Sequence, residues 1–248
     1  MIPVPGTYTE ERRVYTESAA VRSSEPNRGE HWILVGGGNA DPGLICRTME
    51  EESDSGVPCR ILGIDAGVPA TEAAGYKPDM VLGDFDSVTD EDRKRIIDQY
   101  PERVLLDPVK DDTDMEAAIR FILRKNPSKI TVLGGTGSRM DHTMTNLRLL
   151  VIAAGAGVPA VLLDTTNRIR VLTGSVTLKR EDLFGTYVSL LPVEGEVRGI
   201  TLRGFRYGLS DAALYPFSSL GISNELTGEE GEILFSGGML YMMETKDE

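Results

Sequence analysis

Met80-Val81-Leu82-Gly83-Asp84-Phe85-Asp86-Ser87 is a strand-length apolar run that stops on a glycine and a pair of aspartates. The run does not alternate, as expected of a strand buried on both faces of a parallel sheet. The same texture recurs at residues 32–35, 60–64, 103–106, 130–133 and 160–163. Helical patterns lie between these runs. Thr113-Asp114-Met115-Glu116 is a capping box, after which Met115, Ala118, Ile119, Ile122 and Leu123 share one helical face. Residues 90–100 form a second, more charged helix, with Ser87 as a candidate cap, and residues 141–154 a third, stopped by Gly155. Strand–helix alternation predicts an α/β parallel-sheet N-terminal domain over residues 31–165. After residue 166 the runs at 169–172, 176–178, 187–191, 197–202, 232–235 and 239–243 alternate more, with turn residues between them. They predict an all-β sandwich C-terminal domain over 166–248. Residues 1–30 are polar and aperiodic, and read as a flexible extension.

The chain has 248 residues and a formal net charge of −13. That balance excludes broad nucleic-acid binding, which needs a basic surface to neutralise phosphates. No apolar run approaches the ~18–20 residues that span a bilayer, so no membrane partner is expected. The N-terminus lacks the basic-then-apolar pattern of a signal peptide, and the cytoplasm is the expected compartment. Cys46 and Cys59 stand outside any C-x-x-C spacing and read as reduced thiols, with a structural pair as the alternative. His31 and His142 are the only histidines. A metal would therefore be held by carboxylates, which favours Mg²⁺ or Mn²⁺.

Each predicted strand ends on glycine or acid, and in open parallel sheets the ligand crevice lies beyond the carboxyl ends of the strands. Asp65 closes the second strand, and Asp84 and Asp86 follow the third. Two residues apart in extended backbone, Asp84 and Asp86 point to the same side and repel each other unless a cation or a proton intervenes. A solvated turn is the plain alternative. Lys110-Asp111-Asp112-Thr113-Asp114 opens the capped helix. Capping uses one or two acids, and the excess makes Asp111 and Asp114 candidates to complete a metal site, with Lys110 a candidate phosphate contact. Gly134-Gly135-Thr136-Gly137-Ser138-Arg139-Met140-Asp141-His142 runs from a strand into a helix. Its backbone N–H groups and positive dipole end suit a phosphate, and Arg139 adds a forked charged donor. It lacks the Gly-Lys-Ser/Thr ending of a P-loop. His142 reads equally as a ligand contact or a local hydrogen-bonder. Gly36-Gly37-Gly38-Asn39-Ala40-Asp41 reads as a tight turn or a nucleotide contact, since Asp41 stands where a dinucleotide fingerprint has its third glycine.

In order, these segments resemble the thiamine pyrophosphokinase family. The matching pieces are Asp65-Ala66-Gly67, residues 78–87, residues 110–116 and residues 134–147, then Ser189-Leu190-Leu191-Pro192 and Gly221-Ile222-Ser223-Asn224-Glu225. The likeness spans residues 32–245. One loop departs, reading Ile64-Asp65-Ala66-Gly67-Val68-Pro69 where members have Ala-Asp-Gly-Gly-Ala-Asn. The resemblance implies transfer of a pyrophosphoryl group from ATP to the thiamine hydroxyl, giving thiamine diphosphate and AMP. It implies that Asp84, Asp86 and Asp111 hold Mg²⁺ (or Mn²⁺) on the triphosphate, with Asp114 nearby and one aspartate acting on the alcohol. It further implies that Asp65, Gly134, Gly135, Gly137, Arg139, Asp141 and His142 contact substrate. Ser223, Asn224 and Glu225 would help bind thiamine across a homodimer interface. Two other readings fit the same residues: an aspartate-rich metal-dependent phosphohydrolase, and a nucleotide-binding module without chemistry.

Overall fold

The computed structural model describes residues 29–54, 56–107 and 111–247; most of the expected N-terminal extension, and Lys110, lie outside these. Strands β1 (His31–Val35), β2 (Cys59–Ile64), β3 (Met80–Gly83), β4 (Arg103–Leu105), β5 (Lys129–Leu133) and β6 (Ala160–Leu163) lie parallel in the order β4-β3-β2-β1-β5-β6. Between them run helices α1 (Pro42–Asp54), α2 (Gly67–Ala73), α3 (Asp90–Gln99), α4 (Asp114–Leu123) and α5 (Met140–Gly155). Both faces of the sheet are covered, which is why the strands carry no polar alternation. Trp32, Leu34, Ile119 and Leu149 fill one side, and Ile33, Val35, Leu44, Ile45 and Leu133 the other. Trp32 is 1 % exposed.

Local signals explain the helix starts. Thr113 Oγ1 accepts from Glu116 N (3.2 Å) and opens α4 as its capping box predicts. Thr89, not Ser87, caps α3, accepting from Asp92 N at 3.1 Å. The fingerprint-breaking Asp41 caps α1, where its Oδ1 accepts from Leu44 N at 2.7 Å with Pro42 at the first helical position. The sequence reading predicted neither α1 nor α2. Helix α5 runs through Gly155, and the left-handed residue beyond its end is Gly157 (φ 72°).

Strand β7 (Asn167–Leu172) pairs antiparallel with β6, so one sheet continues across residue 165. Strand β13 (Leu240–Thr245) then pairs with β7 and with β9 (Tyr187–Pro192), completing nine strands. A second sheet of β8 (Val176–Lys179), β10 (Val197–Arg203), β11 (Leu209–Leu214) and β12 (Glu230–Leu234) packs against this end. Val188, Leu190, Ile200, Leu202, Ile233 and Met242 are buried between them. The expected sandwich is thus built partly from the same sheet that carries the parallel strands. Strand β11 escaped prediction because its register with β10 shifts and Asp211 sits at φ 48°.

Glu244 of β13 is fully buried and lies opposite Arg168 of β7, whose Nε donates to it at 2.8 Å; Arg170 stands 3.9 Å away. Removing one member of a buried pair strands the other charge, at a cost of about 3 kcal/mol. Glu244→Leu is therefore expected to lower the unfolding free energy by that amount, read as a lower denaturant midpoint with an unchanged slope. A loss under about 1 kcal/mol would mean this cluster does not tie β13 to β7.

Candidate active site

From β1 the chain builds the sheet in one direction through β4, then returns to lay β5 and β6 on the other side. The reversal falls between β1 and β5, the point in such sheets where a ligand crevice opens. Two glycine turns meet there, backbone against backbone. Gly38 N donates to Gly134 O (3.0 Å) and Asn39 N to Thr136 O (2.7 Å). A Cβ on Gly38 would lie 2.1 Å from Thr136 O, and one on Gly134, at φ 63°, would lie 2.3 Å from Gly36 O. The turn after β5 is also held from behind. Asn146 Nδ2 donates to Gly135 O (2.7 Å), and Thr136 Oγ1 to Asp164 Oδ2 (2.9 Å). The carbonyls of residues 134–136 are engaged inward and Gly137 N donates to Thr143 Oγ1 at 3.3 Å, so the turn presents the rest of its amide edge to an anion.

The crevice has a volume of about 560 Å³ and is walled by these two turns and by Asp65, Asp84, Asp86, Asp112 and Asp114. Asp65, Asp84 and Asp114 converge, with one carboxylate oxygen of each lying within 4.8 Å of the others. Each comes from a different strand or helix end, after β2, after β3 and at the start of α4. The backbone is bent to bring them in. Gly83 is at φ 154°, and a Cβ there would sit 2.0 Å from Asp65 Oδ1. Asp65 (φ 47°) and Phe85 (φ 57°) occupy the left-handed region that side chains rarely adopt. Phe85 is held so by burial against Val68, Ile96 and Tyr100, and its N–H donates to Asp65 Oδ1 at 3.0 Å. This bend separates two residues that extended backbone would place on one side. Asp84 is 8 % exposed and faces the cluster, whereas Asp86 is exposed and turns its N–H to Asp84 Oδ1 (3.2 Å).

Crowding shows in the electrostatics. Burial, a hydrogen bond with Asp114, and the charges of Asp114 and Asp84 push the Asp65 carboxyl up to about 8. Three carboxylates so placed are an oxygen donor set for a hard divalent cation. The donor set fits Mg²⁺ without any further ligand type.

The sequence-predicted residues fall in three places. Asp65, Asp84, Asp86, Asp114, Gly134, Gly135, Gly137, Arg139 and His142 all line the crevice. Asp111 is exposed, and Asp111 and Asp141 are not among its lining residues. Arg139 is 69 % exposed and bonds Asp141 (Nη2 to Oδ2, 2.6 Å), which holds the Asp141 carboxyl well below the usual range. Ser223, Asn224 and Glu225 lie in the sandwich half, away from this wall. Asn224 is 3 % exposed and is spent on its own loop, bonding Tyr207 N (3.0 Å) and Tyr207 O (2.8 Å). Asp112, Thr136, Asn146 and Asp164 were missed as site residues. The Asp164-x-Thr166-Asn167 turn signal was legible, but not its reach to Thr136.

Residues 56–162 match the family model described as thiamin pyrophosphokinase, catalytic domain, and residues 175–240 the one described as thiamin pyrophosphokinase, vitamin B1 binding domain. The thiamine pyrophosphokinase of Bacillus subtilis is 33 % identical over 186 residues, covering 75 % of this chain and 87 % of that protein. A crystal structure of the Bacillus subtilis enzyme superposes with a TM-score of 0.77 at 31 % identity, over 88 % of this chain and 100 % of that one. Yeast thiamin pyrophosphokinase shares the fold alone, with a TM-score of 0.70 at 14 % identity, over 88 % of this chain and 86 % of that one. With both family domains matched in order, and relatives of this identity aligned along most of its length, this chain belongs to the thiamin pyrophosphokinase family.

Proposed function

We propose that the crevice binds ATP with Mg²⁺ and moves its pyrophosphoryl group to the hydroxyl of thiamine, giving thiamine diphosphate and AMP. The observation that carries this reading is the three-carboxylate cluster facing a phosphate-suited glycine turn across one crevice. Membership of the family weighs against both a phosphohydrolase and a module without chemistry. Asp65, Asp84 and Asp114 are the residues we assign to the ion, with Asp86 and Asp111 giving outer contacts. Bound there, Mg²⁺ (or Mn²⁺) neutralises charge on the triphosphate. The remaining work is positioning by the chain itself. The turn 134–137 receives phosphate on the N–H groups that Thr143 does not take. Arg139, exposed beside Asp141, exchanges that partner for a phosphate oxygen, and His142 lines the same wall.

We assign nucleotide and metal to residues 31–165 and thiamine to residues 166–248. In the sandwich half, Phe217, Leu220 and Ile222 are exposed beside Ser223, with Phe217 fully so. An apolar tip next to a segment that does not reach its own crevice supports a homodimer in which this loop meets the partner's crevice. Work in the cytoplasm suits an ATP-consuming enzyme. Among the described residues no helix is long and apolar enough to cross a membrane.

With ATP, Mg²⁺ and thiamine, the expected products are AMP and thiamine diphosphate, separable by chromatography. Asp84→Asn is expected to lower kcat at least about 100-fold. ADP as product, or ATP consumption independent of thiamine, contradicts the reading. Light scattering should give a dimer mass, and a monomer at working concentration contradicts the shared site.

The cluster also sets a pH dependence. The Asp65 carboxyl is ordinarily near 3.8 and is raised to about 8 in the fold, so the metal-free folded chain holds a proton that the unfolded chain releases between these values. Its stability is present below the unfolded value and is lost as pH rises through the folded one. Mg²⁺ displaces that proton, so its stabilisation should grow from about pH 6 to about pH 8. Melting curves with Mg²⁺ or a chelator check this, and an increment independent of pH contradicts it.

A further inference from the structure

Thr136 carries the side chain by which the turn after β5 reaches the end of the neighbouring strand. It meets Asp164 there, which closes β6 and is 9 % exposed. Asp164 Oδ1 accepts from the backbone N–H groups of Thr166 (2.9 Å) and Asn167 (2.7 Å), and Asn167 Nδ2 donates to both carboxylate oxygens (2.9 and 3.1 Å). Those bonds form the tight turn by which the chain leaves the last parallel strand and enters β7. Thr166 Oγ1 adds a longer bond to Oδ1 (3.3 Å), and the donor from outside the turn is Thr136 Oγ1, 2.9 Å from Oδ2. Every donor to this carboxylate is neutral, so hydrogen bonds alone satisfy a nearly buried charge, and each counts for more than an ordinary one.

The consequence falls on the crevice. The Thr136 carbonyl is taken by Asn39 N at 2.7 Å, so residue 136 is gripped from the β1 turn by its backbone and from the β6 end by its side chain. Two grips on opposite sides of β5 leave its peptide little freedom to rotate. Its hydroxyl proton points to Asp164, away from service as a phosphate donor. What the residue offers an anion is therefore backbone N–H in a fixed direction. We propose that Asp164 is a positioning residue for the nucleotide: through Thr136 it holds the turn 134–137 in the conformation that receives phosphate. The same carboxylate starts the strand that leads into the sandwich half, so one group organises both. This rests on the nucleotide reading of the crevice given above.

Thr136→Val, Thr136→Ser, Asp164→Ala and the double variant Thr136→Val with Asp164→Ala are compared with wild type. Steady-state turnover is measured with ATP varied at saturating thiamine and with thiamine varied at saturating ATP, alongside thermal melting. Thr136→Val keeps shape and removes the hydroxyl. It is expected to raise KM for ATP about tenfold, the loss of one charge-assisted hydrogen bond. KM for thiamine should stay within about twofold and the melting temperature within a few degrees. Thr136→Ser should restore the wild-type KM for ATP. The double variant should bind ATP no worse than Asp164→Ala alone, because the two groups act as one. An unchanged KM for ATP in Thr136→Val, or an equal rise in Thr136→Val and Thr136→Ser, overturns the positioning role and leaves the reaction standing if wild type turns over. A wild-type chain with no thiamine-dependent turnover overturns both.

Discussion

Where the chain reverses across its sheet, two backbones touch with no side chain between them. The turn after β1 donates hydrogen bonds to carbonyls of the turn after β5 at 2.7–3.0 Å, and neither Gly38 nor Gly134 has room for a Cβ. The crevice depends on this contact, because it sets how closely the two central strand ends approach. Glycine serves the acids in the same way. Gly67 packs against the carbonyl of Val35, and Gly83 against the carboxylate of Asp65. Backbone permissiveness is what lets charged groups crowd at one sheet edge.

That crowding works against the stability of the metal-free chain. Asp65, Asp84 and Asp114 repel one another, and Asp65 and Phe85 hold left-handed backbone. The surrounding apolar packing offsets the strain. Phe85, 1 % exposed, is anchored on α2 and α3, so the bend that aims Asp84 inward is bought with hydrophobic burial. Strain and like charge concentrated in one crevice, within a sheet that is otherwise well packed, are the mark of a site kept for chemistry.

The parallel sheet was legible because burial on both faces writes itself as apolar runs without polar alternation, as in Met80-Val81-Leu82 and Trp32–Val35. Helix α4 was legible because Thr113 is a cap of the usual kind. Helix α1 was not, because Asp41 was weighed as a failed glycine rather than as a cap. The acids were found by their position after strands, yet the pattern assumed extended backbone through Phe85. Its positive φ is set by tertiary packing, which no local signal reports, and so Asp65 joins Asp84 and Asp114 while Asp86 lines the crevice outside that cluster. The continuity of β6 with β7 was likewise invisible, since a change of texture in sequence does not say whether two halves share a sheet. Asp164 shows the same limit: its turn is local, but its bond to Thr136 spans the sheet.

The central claim is that three carboxylates and a glycine turn form one metal–nucleotide site. Crystals grown with Mn²⁺ and a non-hydrolysable ATP analogue test it directly through the anomalous signal of the metal. The account predicts a peak within coordination distance, about 2.2 Å, of oxygens from Asp65, Asp84 and Asp114, with phosphate against residues 134–137. A metal bound elsewhere, or a nucleotide bound with these three carboxylates unliganded, would contradict it.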